Sequence, residues 1–239
     1  MRQALAFLTP LGGARSPTPN ALAWFPEVGL AIGMLLGGIW WGAGKLWSPM
    51  LAAAIVVACD LGLTGMLHMD GLLDSADGLF LHGTRSRRLE VMHDSSVGAF
   101  ATAIGGATLL LRWAALASLA ANPWLLAGLW AAARALMAIA AMTLPYARPE
   151  GGLATAFLGG FPRRWMIMAA AGAGLAVAIG CSALWRSVEG PIAVVVGLAA
   201  GAALLVLARR RLGGFTGDVL GAAGVVTETV ALVMAAARW

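Results

Sequence analysis

The stretch GPIAVVVGLAAGAALLVLA, residues 190–208, carries no charged side chain and runs directly into Arg209, Arg210 and Arg211. About 20 helical residues, rising 1.5 Å each, cross roughly 30 Å of hydrocarbon. The stretch therefore reads as a transmembrane helix ended by a cationic anchor. Six more apolar runs, near 24–43, 48–67, 98–120, 123–144, 164–185 and 215–237, repeat the pattern along the chain. Composition agrees: of 239 residues, 60% are hydrophobic and 11% charged, against about 45–50% and about 25% in soluble domains. So few charges cannot cover a water-exposed surface. A soluble enzyme, a secreted disulfide scaffold and a disordered chain are excluded. The expected fold is all-α, a polytopic integral membrane bundle of about seven helices (range six to eight) forming one domain over 1–239.

Glycine and proline punctuate the spans. Pro49, Pro123, Pro162, Pro191 and Gly213-Gly214 lie at their ends, whereas Gly29, Gly33 and Gly37, and again Gly197 and Gly201, recur every fourth residue within them. That spacing lets helix backbones approach closely in lipid. Cys59 and Cys181 sit far apart in apolar runs and read as buried thiols without a disulfide. The first twenty residues, broken by Pro10, lack a small-residue cleavage pattern and do not read as a cleaved signal peptide.

Seven spans divide the basic residues unevenly. Arg2, Arg15, Arg85, Arg87, Arg88, Arg148, Arg163, Arg164, Arg209, Arg210 and Arg211 fall on one side, against Lys45, Arg186 and Arg238 on the other; Arg112 and Arg134 lie within spans. The basic side is expected to be cytoplasmic, with the N-terminus there. The net charge of +5 is thus a topological signal and gives no reason to expect nucleic acid.

Chemistry concentrates in one segment. Of eleven acidic residues, Asp60, Asp70, Asp74, Asp77, Glu90 and Asp94 lie between 60 and 94, together with His68, His82 and His93. Within HMDGLLDSADGLFLHGTRSRR, Asp70, Asp74 and Asp77 are spaced i, i+4, i+7 and share one face of a helix. Three such carboxylates repel one another unless a cation or proton intervenes. A hard cation with oxygen ligands, above all Mg²⁺, answers that need and shares its shell with substrate phosphates. A solvated acidic loop is the plain alternative. It is disfavoured by the scarcity of acids elsewhere, the helical spacing and the position at the end of an apolar span. The catalytic segment is therefore expected at 68–97, with Arg85, Arg87 and Arg88 either gripping phosphate or anchoring the chain. The histidines are candidate bases.

Three more motifs fall on the same side. LGGFTGD (212–218) opens the last span with a glycine turn suited to phosphate, and its Asp218 faces a cation; PYARPEGG (145–152) offers Tyr146, Arg148 and Glu150; WFPEVG contributes Glu27. Glu228 lies about 15 Å deeper than Asp218, where it needs a cavity or a partner, with Arg112 and Arg134 as candidates.

HMDGLLDSADGLF, followed by TRSRRLEVMHDSSVG, resembles the signature of the cobalamin synthase (adenosylcobinamide-GDP ribazoletransferase) family. ALAFLTP, WFPEVGLAIG, PYARPEGG and LGGFTGDVLGA follow in the family's order, so the resemblance covers nearly the whole chain. It implies a Mg²⁺-dependent enzyme of the bacterial cytoplasmic (inner) membrane that joins α-ribazole, or its 5′-phosphate, to adenosylcobinamide-GDP and releases GMP, the last assembly step of the cobalamin nucleotide loop. Asp70, Asp74 and Asp77 would hold metal, and Asp94 would complete the shell or take the hydroxyl proton. Arg85, Arg88 and Arg148 would steady phosphate, with Asp218 closing the site and His68 contributing to substrate binding. The bilayer is the expected partner, and an oligomer is allowed. A CDP-alcohol phosphotransferase would require DGxxAR, which Asp70-Gly71 followed by Asp74-Ser75 does not supply. A cation-coupled transporter would place its acids at the midplane, where few lie.

Overall fold

The computed structural model describes residues 1–10, 18–148, 151, 153–157 and 164–238. Arg15, Glu150, Pro162 and Arg163, named above, lie outside the described residues. Among the described residues ten α-helices follow one another: α1 (Arg2–Leu8), α2 (Phe25–Leu46), α3 (Pro49–Leu63), α4 (Leu67–Phe80), α5 (Arg85–Val91), α6 (Ala99–Ser118), α7 (Pro123–Thr143), α8 (Arg164–Trp185), α9 (Glu189–Leu212) and α10 (Gly217–Ala235). Short 3₁₀ turns at Pro19–Trp24 and Leu153–Phe157 complete the described regular structure, with one isolated bridge between Tyr146 and Phe215. Among the described residues six helices are long and apolar enough to cross a membrane, and the bent pair α3–α4 makes a seventh when counted as one span. The all-α polytopic expectation holds.

Helix starts follow from local chemistry. The side chains of Ser48, Thr84, Asn122 and Thr216 accept a backbone N–H of the first turn of α3, α5, α7 and α10, and proline occupies the first turn of α2, α3 and α7. The centre of the bundle is α7, whose alanine-rich surface is almost wholly buried among α2, α8, α9 and α10. Side-chain burial between helices gains little in lipid, so close backbone packing must replace it. The glycine spacing in α2 supplies that packing. A Cβ at Gly29 would stand 2.5 Å from the Trp130 carbonyl oxygen, at Gly33 2.3 Å from that of Leu126, and at Gly37 2.4 Å from Pro123 Cα. Each step of four along α2 moves back along α7, as two antiparallel helices require. Gly197 and Gly201 of α9 meet Thr227, Ala223 and Ala231 of α10 in the same way.

The expected span 48–67 is not one helix. α3 stops at Leu63 after 15 residues, and α4 leaves it at 88°. A C-terminal motif around a glycine causes the break. Gly65 sits at φ 57°, its N–H donates to the Gly62 carbonyl, and the Met66 N–H donates to that of Leu61. The Thr64 hydroxyl also donates to the Asp60 carbonyl, at 2.8 Å. The redirected α4 packs across α6 and α10, burying His68, Met69, Leu72, Ser75, Ala76 and Leu79 while Asp70 stays exposed and Asp74 and Asp77 half-buried. Residues 68–97 are therefore largely helical and packed on the bundle, not a loop. The carbonyls that end α4 are met by arginines. Arg88 donates to Gly78 and Leu79 at 3.2 and 2.8 Å, and Arg211 donates to Leu79 as well.

In the apolar interior lies a charge quartet. Arg112 of α6 pairs with Asp60 of α3 and with Glu228 of α10, each at 2.5 Å, and Arg134 of α7 pairs with the other oxygen of Glu228 at 2.5 Å. Arg112 also donates to the Thr229 hydroxyl at 2.8 Å, and the Trp130 indole N–H donates to Asp60 at 3.1 Å. Both partners anticipated for Glu228 are in place, and Asp60 joins them.

Two consequences can be measured in detergent. Gly33→Leu should lower the thermal midpoint by roughly 2–12 °C, the effect of about 1–3 kcal/mol of overpacking in a chain this size. Gly38→Leu, where a Cβ meets nothing within 4 Å, should leave it unchanged; equal midpoints would mean that α2 and α7 do not cross there. Glu228→Ala leaves the buried Arg134 without its acidic partner and takes one of two from Arg112, and should destabilise the protein by about 3–5 kcal/mol. A fully stable variant in the same melt would show that the quartet holds nothing together.

Candidate active site

Asp70, Asp74 and Asp77 line one face of α4 and one side of an open cavity of about 340 Å³. The segment Met92–Val97, including Asp94, also lines it, as do Arg148 and Asp218. α4 reaches Asp218 by close approach: a Cβ at Gly71 would lie 2.7 Å from the Asp218 carbonyl oxygen and 2.9 Å from its Cα. Any other residue at 71 would push the aspartates away from α10. Arg148 is placed by the Tyr146–Phe215 bridge, in which the Ala147 N–H donates to Phe215 and the Phe215 N–H to Pro145. This pins the loop after α7 to the start of α10, and the Arg148 guanidinium then donates to Asp218 at 2.7 Å and to the Met92 carbonyl at 3.2 Å.

The predicted residues fare differently from one another. Asp70 and Asp74 make no hydrogen bond or ion pair among the described residues and face the cavity with their oxygens unengaged. Asp77 is held: its two oxygens accept the Gly98 and Ala101 N–H groups at 2.7 and 3.0 Å, capping α6. It fixes α6 against α4 as well as lining the cavity. Asp94 is exposed and accepts both the Ser96 N–H and its hydroxyl, which holds its carboxyl below the usual range. Arg88 is engaged at the end of α4 and does not line the cavity, a departure from its expected phosphate role; nothing in its spacing distinguishes a cap from an anion grip. Arg87 pairs with Glu90 on the surface at 2.8 Å. Glu27 lies at the start of α2, in a separate shallow pocket with Ala131 and Gly174, so three of the four motifs converge and WFPEVG does not.

A second cavity, about 380 Å³, adjoins the first and shares His93 and Arg148 with it. Arg85, Ser86 and Glu90 line it, and Arg85 is steadied by donating to the Ala147 carbonyl at 2.9 Å. A third, of about 80 Å³, lies behind the Arg148–Asp218 pair and is walled by Phe7, Leu67, His68, Met137 and Tyr146. Burial there pushes the Tyr146 phenol above its ordinary value. His93, a candidate base by its place in the acidic segment, stands at the junction of two cavities; Phe7 and Met137, at the third, carry no signal in the sequence, and only the fold brings them to the site.

Five carboxylates around one arginine leave the first cavity short of positive charge. Among the described residues, no three His, Cys, Asp or Glu side chains stand close enough to hold an ion alone. Mg²⁺ does not require that, since it keeps several waters and takes one or two carboxylates plus substrate phosphate. Asp70 and Asp74, one helical turn apart with hard oxygens unengaged, fit such an ion.

The family profile of cobalamin-5-phosphate synthase matches residues 1–236. A curated adenosylcobinamide-GDP ribazoletransferase of Bradyrhizobium diazoefficiens is 38% identical, covering 99% of this chain and 93% of its own. Those of Syntrophobacter fumaroxidans and Deinococcus radiodurans are 36% and 39% identical, covering 99% and 96% of this chain and 97% and 82% of theirs. No solved structure matches. With the aspartate helix, the PYAR loop and the LGGFTGD turn meeting at one cavity, and a profile match that runs through all three, the chain belongs to the cobalamin-5-phosphate synthase family.

Proposed function

We propose that this protein transfers the adenosylcobinamide-phosphate moiety of adenosylcobinamide-GDP to α-ribazole or its 5′-phosphate, releasing GMP. One observation carries the reading: Asp70 and Asp74 stand unengaged in a cavity that Arg148 and Asp218 also line, beside a second cavity that holds Arg85 and shares Arg148. That is the provision a diphosphate needs. In the transfer, a ribose hydroxyl oxygen bonds to the phosphorus attached to the cobinamide side chain. The bond from that phosphorus to the bridging oxygen breaks, GMP departs with the bond electrons, and the hydroxyl proton is lost. Such chemistry rests on alignment and charge neutralisation more than on covalent help from the protein.

Each group has a part in this scheme. Arg148, anchored on Asp218 and the Met92 carbonyl, holds a phosphate oxygen without swinging free. Arg85, fixed to the Ala147 carbonyl, faces the nucleotide phosphate from the second cavity. Asp77 keeps α4 and α6 in register. Asp94, held ionised by Ser96, is a better ligand than base. Asp70 and Asp74 would hold Mg²⁺, with Asp218 nearby, and the ion when bound would neutralise the phosphate oxygens of donor and transition state.

The arginine-rich ends support a cytoplasmic site in the inner membrane. Arg85, Arg88, Arg148 and Arg211 all contact groups beside the cavities, at the end where positive-inside bias puts the cytoplasm and the N-terminus.

The deciding assay is GMP release by detergent-purified protein given adenosylcobinamide-GDP and α-ribazole, with Mg²⁺ or with EDTA. GMP should appear only with acceptor and Mg²⁺ both present. Asp74→Asn should lower the rate by about 10²–10³, as loss of one transition-state charge partner does, with an unchanged melting midpoint. Arg186→Ala, whose guanidinium lies 4.9 Å from the Trp185 ring at the far end of α8, should stay within about twofold. Full activity in Asp74→Asn would remove the metal assignment, and release that ignores acceptor would point to another phosphotransferase substrate.

A further inference from the structure

His68 is 4% exposed, and neither ring nitrogen has a hydrogen-bond partner among the described residues. A buried polar group left unpaired costs about 1–3 kcal/mol, so a side chain kept in that state calls for a ligand. On one side of it lies a void of only about 10 Å³, shared with Asp60, Arg112, Arg134 and Glu228. None of those groups hydrogen-bonds it; both acids are turned to the arginines. On the other side lies the third cavity, about 80 Å³, where His68 is the polar wall among Phe7, Leu67, Met137 and Tyr146. Arg148 and Asp218 line both this cavity and the acidic one.

We infer that this cavity receives the edge of the acceptor's flat heteroaromatic base, with His68 hydrogen-bonding the unsubstituted ring nitrogen; the inference rests on the transferase reading above. The chemistry of the walls selects the ligand. Aromatic and thioether surfaces stack on a ring face and contact its edge. A lipid chain would leave the imidazole unpaired. A phosphate would meet the Asp218 carboxylate, the Arg148 charge already paired to it, and otherwise mostly apolar side chains. The volume takes the edge of one ring, not a whole nucleoside, so the ribose lies outward, past Arg148 and Asp218. That puts its hydroxyls at the cavity lined by Asp70 and Asp74. The Arg148–Asp218 pair is then the divider between base and reacting phosphate, and His68 sets which bases are accepted.

The test varies acceptor at saturating adenosylcobinamide-GDP and Mg²⁺ and follows GMP. Two acceptors are compared, α-ribazole and an α-riboside whose base carries CH in place of the unsubstituted ring nitrogen. The wild-type protein should prefer α-ribazole by about tenfold in kcat/KM, the worth of one buried hydrogen bond. His68→Leu should raise the KM for α-ribazole by about tenfold, leave the donor KM unchanged and abolish the preference, while His68→Gln restores much of it. A preference that persists in His68→Leu overturns the inference while leaving the transferase standing. GMP release that fails altogether in the wild type overturns the transferase reading and this one with it. Should His68→Leu not fold, Leu67→Trp narrows the same cavity from a residue 38% exposed; it should raise the acceptor KM alone, and an unchanged KM refutes the assignment.

Discussion

Two arginines and two acids, buried together in an apolar bundle, hold the architecture in register. Arg112, Arg134, Asp60 and Glu228 come from α6, α7, α3 and α10, and their charges cancel. A hydrophobic quartet of similar volume would stabilise the bundle as well or better, but any sliding of one helix past another would leave a charge unpaired, at a penalty of several kcal/mol. The quartet therefore sets the relative heights of four helices where lipid-facing packing alone permits several. Asp60 also sits one turn before the break, so the end of α3 is anchored where the chain must turn.

That turn makes the site. The left-handed pair Gly65-Met66 sends α4 off at 88°, across α6 and α10 instead of onward along α3. Its C-terminal carbonyls are held by Arg88 and Arg211 from α5 and α9, and its aspartate Asp77 holds the first N–H groups of α6. The C-terminal turn of α4 is thus fixed by polar contacts, and its remaining acids, Asp70 and Asp74, are left with no intramolecular work. Carboxylates so placed, one helical turn apart and facing Arg148 and Asp218, are arranged for an external cation and phosphate.

Arg148 shows how the cavities are related. Tied to Asp218, to the Met92 carbonyl and, through the Tyr146–Phe215 bridge, to the start of α10, it borders all three cavities. Charge falls off around it in a consistent order: acids on one side, Arg85 and His93 on another, aromatic and thioether surface with one imidazole on the third.

Much of this was legible in the order of residues. Runs such as 190–208 have only one stable course in hydrocarbon, since every backbone N–H and C=O must be satisfied within the helix. The i, i+4, i+7 aspartates share a face by helical geometry alone, and the glycines at every fourth position mark close contacts, though not with which helix. Glu228 had to find a partner for a reason of solvation, and the in-span arginines were few enough to name. Tertiary structure alone decided the rest. The span 48–67 breaks because a C-terminal hydrogen-bond motif around Gly65 outcompetes continued helix, a local balance that apolar composition does not reveal. Arg88 and Asp77 became caps, and Glu27 fell away from the site, because the direction of α4 and the packing around it determine which groups lie within hydrogen-bonding reach. His68 was left unpaired for the same reason: its surroundings are assembled from α1, α4, α7, α10 and the loop at Tyr146, segments whose convergence is set by long-range packing and by no pattern within any one of them.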